Sequence, residues 1–156
     1  MIGATLTKAL YKQASCEFFA SHFYLSASYW LKTQNLNGLG AILRNESDEE
    51  RKHGLTLLDY ISKRDGEIEL LPFEPPPTPS SFTTVSSLWK NILDLEAKYF
   101  DHFNDLTALS REEKDFSTEQ FLSEFLTEQL TAVDEQKEML AKIEQLESNR
   151  HLFVFD

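Results

Sequence analysis

The chain has 156 residues, 41% of them hydrophobic, with twelve Phe and two Trp, enough for one domain built around one core. Twenty-six acidic against fifteen basic residues give a formal net charge of -11, which repels a phosphate backbone, excludes general nucleic-acid binding and attracts cations. The single Cys16 excludes a disulfide framework and a cysteine-rich zinc site, and no apolar run approaches the roughly 20 residues of a membrane span.

Helix breakers are rare and clustered. There are five glycines, and all five prolines lie between Pro72 and Pro79, which leaves four long stretches free to be helical. The first runs from about Thr5 to Gln34 and stops at "NLNG". Its start, "MIGATLTKALYKQASCEFF", lacks the apolar core of a signal peptide, so the expected compartment is the cytoplasm, or a plastid if a transit peptide has been removed. Cys16 reads as a small buried residue on this helix. The second stretch runs from about Leu39 to Arg64 and stops at "RDGE".

The segment "LLPFEPPPTPSSFTTVSS" cannot be helical in its middle, since each proline removes a donor and disfavours helix in the residue before it. It is long for a connection inside a bundle, where roughly 2 to 8 residues suffice, and so is expected to cross the length of the domain. A third helix follows from about Ser86 to Leu109. A turn near "SREEKDFS" leads to a fourth from about Thr118 to Glu147. Helices of this length are about 40 Å long. Two short connections and one long one predict a single all-α domain over residues 1–156, a four-helix bundle with one long crossover between helices two and three.

Alternating spacings of three and four mark the inward row of each helix. The first reads Leu6, Leu10, Gln13, Glu17, Ala20, Tyr24, Ala27 and Leu31; the second reads Leu39, Leu43, Glu46, Glu50, His53, Leu57 and Tyr60. The third gives Trp89, Ile92, Glu96, Tyr99, Phe103 and Leu106, and the fourth gives Leu122, Phe125, Gln129, Ala132, Gln136, Met139, Ile143 and Leu146. Every row is interrupted by polar groups near its middle. A buried carboxylate without a partner costs several kcal/mol or shifts its pKa until it is neutral, and a metal pair would compensate Glu17, Glu50 and Glu96 together. Single glutamates from two helices with a Glu-x-x-His such as Glu50 and His53 are the ligand logic of a carboxylate-bridged di-iron centre. Hard oxygen donors with one imidazole suit iron, although zinc accepts the same set. Other histidines carry less: His22 lies off the row and reads as exposed or at an interface, and His102 and His151 have no partner spacing.

With these residues in place, "CEFFASHFYLSASYW", "ESDEERKHG", "ILDLEAKYF" and "EFLTEQLTAVDEQ" resemble the four helices of a ferritin of the large cage-forming, non-haem type, over essentially the whole chain. The resemblance implies a ferritin-like fold. It also implies oxidation of Fe(II) by dioxygen or peroxide at an intrasubunit di-iron ferroxidase centre, and storage of ferric mineral in a homo-oligomeric shell of twenty-four subunits. Position by position, it implies one iron held by Glu17, Glu50 and His53 and a second by Glu50 and Glu96. Gln129 would stand near the second as a weak ligand or hydrogen-bonding group, and Tyr24 would lie against the centre as hydrogen-bond and one-electron donor.

The departures shape further expectations. Gln129 and Ala132 stand where bacterioferritins and rubrerythrin-like proteins carry a second Glu-x-x-His, so the second iron should be held less tightly, as suits iron in transit. Glu46 keeps one position of the family's third iron site but Ala132 replaces another, so that site should be partial, with Glu49 and Glu128 as the candidate helpers. Of the inner acidic row, Glu49 is kept while Lys52 and Leu55 depart; at the three-fold channel Glu119 is kept and Leu122 departs. The sequence ends in "NRHLFVFD", where the family continues into a short fifth helix, which is absent or not included here. Two other classes stay open: a non-storing di-iron oxidase on the same bundle, and a structural bundle whose polar core residues set register.

Overall fold

The breaker-free stretches fold as four long helices in the computed structural model, which describes all 156 residues. They are α1 (Ala4–Thr33), α2 (Asn37–Lys63), α3 (Val85–Glu112) and α4 (Phe116–Ser148), and a one-turn α5 (Leu152–Phe155) follows. That last turn lies within the ending "NRHLFVFD". No strand is present, and no helix is long and apolar enough to cross a membrane.

All four long helices stop in the same way. Asn35, Asp65, Lys114 and Arg150 each take a left-handed backbone conformation, with φ between 57° and 59°. The next residue's N–H then returns to a carbonyl five residues back, as from Leu36 to Leu31 (3.0 Å) and from Asp115 to Ser110 (2.8 Å). This satisfies carbonyls that the helix end would otherwise leave open. Asn and Asp tolerate that conformation; Lys and Arg do so at a steric cost. Side chains cap the starts of α2, α3 and α4. Thr84 and Ser87 form a reciprocal box at α3, and Asp115 accepts from Thr118 N (3.0 Å) at α4. Asp156 accepts from Gly38 and Leu39 N (3.0 and 2.7 Å) at α2.

Pairings fix the topology. Ile2 N bonds Arg64 O (3.0 Å) and Ser21 meets Ser47, so α1 and α2 are antiparallel. Ser86 N donates to Glu147 (3.2 Å) and Trp89 Nε1 to Gln136 (2.9 Å), so α3 and α4 are antiparallel too. Residues 66–84 travel the length of α1: Tyr11 reaches Glu69, Ser26 donates to Pro77 O (2.8 Å), and Phe82 packs on Phe23 and Trp30. The predicted bundle with one long crossover is therefore the observed fold.

The core is in two parts. One apolar cluster gathers Tyr24, Leu31, Leu39, Leu43, Trp89 and Ile92 with their neighbours; the other gathers Leu6, Leu10, Leu57, Ile61, Phe103 and Leu122. Leu122, which stands where the resemblance expects a second acid of the three-fold channel, is fully buried in the second cluster. Lys114 is exposed, and its main demand on the fold is its backbone angle. Lys114→Gly is therefore expected to stabilise the protein by about 1 kcal/mol, read as a higher Tm in thermal unfolding.

Candidate metal centre

Between the two apolar clusters lies a polar layer drawn from all four long helices. Glu17 on α1, Glu50 on α2, Glu96 on α3 and Gln129 on α4 are 1%, 5%, 3% and 6% exposed. His53, one turn after Glu50, is half-buried beside them. No lysine or arginine is paired with any of the three glutamates. One ligand atom each from Glu17, Glu50 and His53 lies within 4.8 Å of the others, so a single cation can reach all three.

The imidazole of His53 is held in a useful orientation. Its Nδ1 faces Glu50 (3.4 Å) and Glu17 (4.0 Å), while Nε2 lies 3.2 Å from the exposed carboxylate of Glu128. A carboxylate there accepts the Nε2 proton, which leaves the Nδ1 lone pair directed into the layer, the way an outer carboxylate commonly fixes a metal-binding histidine. Glu128 entered the sequence reading only as a helper for a third iron; its contact is with His53.

Glu96 is gripped at both oxygens. Tyr24, fully buried, donates its hydroxyl to Oε1, and the Gln129 amide donates to Oε2 and to the Glu96 carbonyl (2.9 Å). Glu17 has Gln13 as its amide donor (2.8 Å). Behind it, His102 Nδ1 meets the Gln13 oxygen at 2.9 Å, a partnership that spacing along one helix could not reveal. Cys16, expected to be buried, is half-buried; its carbonyl accepts from Tyr99 (2.5 Å). His22 is exposed, its ring against Phe73 on the crossover.

Electrostatics follow from crowding acids away from water. Burial first, then the neighbouring Glu50, holds the Glu17 carboxyl well above the ordinary range. Burial pushes Glu50 up to about 8, against the lowering effect of its hydrogen bond with Glu17. Burial raises Glu96 while its bonds from Tyr24 and Gln129 oppose the shift, and it raises the Tyr24 phenol with Glu96 adding to the effect. Without a cation the layer therefore holds protons near neutrality, and a metal binding there must displace them.

A pocket of about 280 Å³ opens onto the layer between α2 and α4, with Glu46, Glu49, Glu128 and Glu135 around it. Glu46 is half-buried; burial and then the charges of Glu96 and Glu135 raise its carboxyl. Ala132 also lines the pocket, so the position that it leaves without a carboxylate has one in Glu135, one turn further along α4. The sequence reading missed Glu135 because its spacing places it beside, and not on, the inward row. Glu49 is exposed and paired with Lys52 (2.8 Å), and Glu119 is paired with Arg111.

A carboxyl raised in the fold stabilises fully below its unfolded value, and that contribution is lost as pH rises through the folded one. The metal-free protein should therefore lose stability between about pH 4.5 and about 8, the window set by Glu50. Thermal unfolding across that window is expected to show a smaller decline for Glu50→Gln, and the wild-type decline should shrink when a divalent metal is added.

Comparisons with known proteins agree with this architecture. The family described as "Ferritin-like domain" matches residues 7–146. A bacterial non-heme ferritin of Staphylococcus epidermidis is 32% identical over 130 residues, which cover 83% of this chain and 77% of that protein; its Staphylococcus aureus counterpart is 28% identical over the same length. Among solved structures, an iron-soaked variant of PmFTN has a TM-score of 0.89 at 32% identity, covering 92% of this chain and 91% of that one. An open pore ferritin from the archaeon Archaeoglobus fulgidus has a TM-score of 0.94 at 23% identity over 99% and 94% of the two chains, a likeness of fold alone. With a crossover bundle and a layer of buried carboxylates at its centre, the chain belongs to the ferritin family.

Proposed function

We propose that this chain is an iron-storage ferritin that oxidises Fe(II) at the polar layer and stores ferric mineral inside a cage. The observation that carries the reading is the set of three buried, cation-free glutamates with His53 turned toward them by Glu128. Such a set is costly to bury unless a cation joins it, and its hard donors match iron.

Iron is the substrate in this reading. Glu17, Glu50 and the Nδ1 of His53 hold one Fe(II); Glu50 reaches across to a second that Glu96 also holds. Two Fe(II) ions supply two electrons. Dioxygen takes them with two protons to give hydrogen peroxide, or peroxide takes them with two protons to give water. The bonds from Tyr24 and Gln129 engage both oxygens of Glu96, which lowers its charge density and weakens its hold on the second iron. Gln129 acts as the donor that aims Glu96, and Tyr24, protonated and in contact with it, is placed to supply a further electron. Loose binding on that side suits onward passage through the acidic pocket of Glu46 and Glu135, with Glu46 forming a partial third site. The reading includes a homo-oligomer of twenty-four subunits in the cytoplasm, which the likeness to bacterial non-heme ferritins supports.

The test is aerobic addition of two Fe(II) per subunit, followed by stopped-flow absorbance. Glu17→Ala and His53→Ala should each slow oxidation by more than about 100-fold, beyond the roughly 10–100-fold typical of losing an outer partner. Tyr24→Phe should keep most of the binding and slow the later phase. Wild-type rates in both ligand variants would exclude this centre. Particle size by electron microscopy separates the storage cage from a small oxidase acting on an organic substrate.

A further inference from the structure

We propose that His102 is a positioning residue for this centre, acting through Gln13 on Glu17; the inference rests on the metal-centre reading above. Glu96 is aimed by Tyr24 and Gln129, and His53 by Glu128. The amide that aims Glu17 is Gln13, which lies one turn earlier on α1 and is itself 4% exposed. A glutamine amide has two unlike ends. With its NH₂ on Glu17 it supports a metal-binding carboxylate; turned over, it sets oxygen against oxygen and loses the bond.

His102 decides between these orientations from α3. Its Nδ1 stands 2.9 Å from Gln13 Oε1, so an Nδ1–H donor there satisfies the oxygen and commits the NH₂ to Glu17. The ring cannot easily swing away. It stacks on Tyr99, with centroids 5.5 Å apart and planes 27° apart, and the Tyr99 hydroxyl is bonded to the Cys16 carbonyl at 2.5 Å. Helix α3 thus contributes Glu96 directly and, two turns later, locks Glu17 at second hand. A carboxylate at Glu17 accepts from the Gln13 NH₂, and the Nδ1–H form of His102 is the one that fits that orientation of the amide. Binding at the layer and the orientation of His102 therefore favour each other.

The test uses the full-length protein with Co(II) alone, followed by its d–d absorption, alongside Fe(II) oxidation kinetics. His102→Phe keeps a ring against Tyr99 but donates nothing; His102→Asn keeps a donor close to the Nδ1 position. His102→Phe is expected to raise the Co(II) dissociation constant and the KM for Fe(II) together by about three- to tenfold, below the roughly 10–100-fold of a direct outer partner, with kcat changed by less than about twofold. His102→Asn should recover most of that loss. In a Gln13→Met background His102→Phe should change nothing further, since the link is then already broken.

Unchanged Co(II) binding in His102→Phe, an equal loss in His102→Asn, or an undiminished effect in the Gln13→Met background would each overturn the proposal. The Glu17→Ala protein tells the two failures apart. If wild-type Co(II) binding is lost in Glu17→Ala yet untouched in His102→Phe, the positioning role alone falls. If Glu17→Ala binds Co(II) like the wild type, the metal centre falls and the proposal with it.

Discussion

Three carboxylates forced together out of water are the constraint around which this bundle is organised. Glu17, Glu50 and Glu96 come from three helices and meet with no lysine or arginine paired to them. Keeping such groups ionised and buried costs several kcal/mol each, so the metal-free fold must either hold protons there or be destabilised. The two apolar clusters on either side make this tolerable. One packs through Trp89 and Leu39 and the other through Phe103 and Leu57, and these flanks hold the layer together along with its own hydrogen bonds. Local strain in a functional layer, set within a well-packed scaffold, is where sequence and stability are expected to disagree.

The layer is asymmetric. On one side Glu17 and His53 are each aimed by a further partner, Gln13 and Glu128, and converge on a single point. On the other, Glu96 has its oxygens engaged by Tyr24 and Gln129. In the proposed function, one position holds a cation and the next lets it go. The surroundings carry the same polarity. Glu46, Glu49 and Glu135 ring the pocket between α2 and α4, whereas the opening between α1 and α3 beside His102 has one acid, Asp105, against Lys12. With a net charge of -11, the acidic pocket is the face a cation meets as its continuation from the layer.

Much of this was legible in sequence, for a physical reason. A helical row that reads apolar, then polar, then apolar can satisfy itself only if the polar residues of several helices meet, and Glu17, Glu50, Glu96 and Gln129 do so. The crossover was equally legible, because prolines between Pro72 and Pro79 forbid helix there. What escaped depends on register between helices. His102 lacks a metal-like spacing on α3 and acquires meaning only opposite Gln13 on α1. Glu135 reads as a solvated charge until α2 brings Glu46 alongside it. Arg64 likewise reads as the end of α2, yet its bond to Asp115 (2.9 Å) ties that end to the start of α4. The helix stops near Lys114 and Arg150 were placed to within a few residues, but not their left-handed backbone, which neither residue usually adopts.

The most direct measurement of the central claim is anomalous diffraction at the iron edge from crystals soaked anaerobically in Fe(II). Two iron peaks are predicted inside the layer, a stronger one among Glu17, Glu50 and the Nδ1 of His53 and a weaker one between Glu50 and Glu96. Iron found only at exposed carboxylates, with the layer free of anomalous density, would contradict the account.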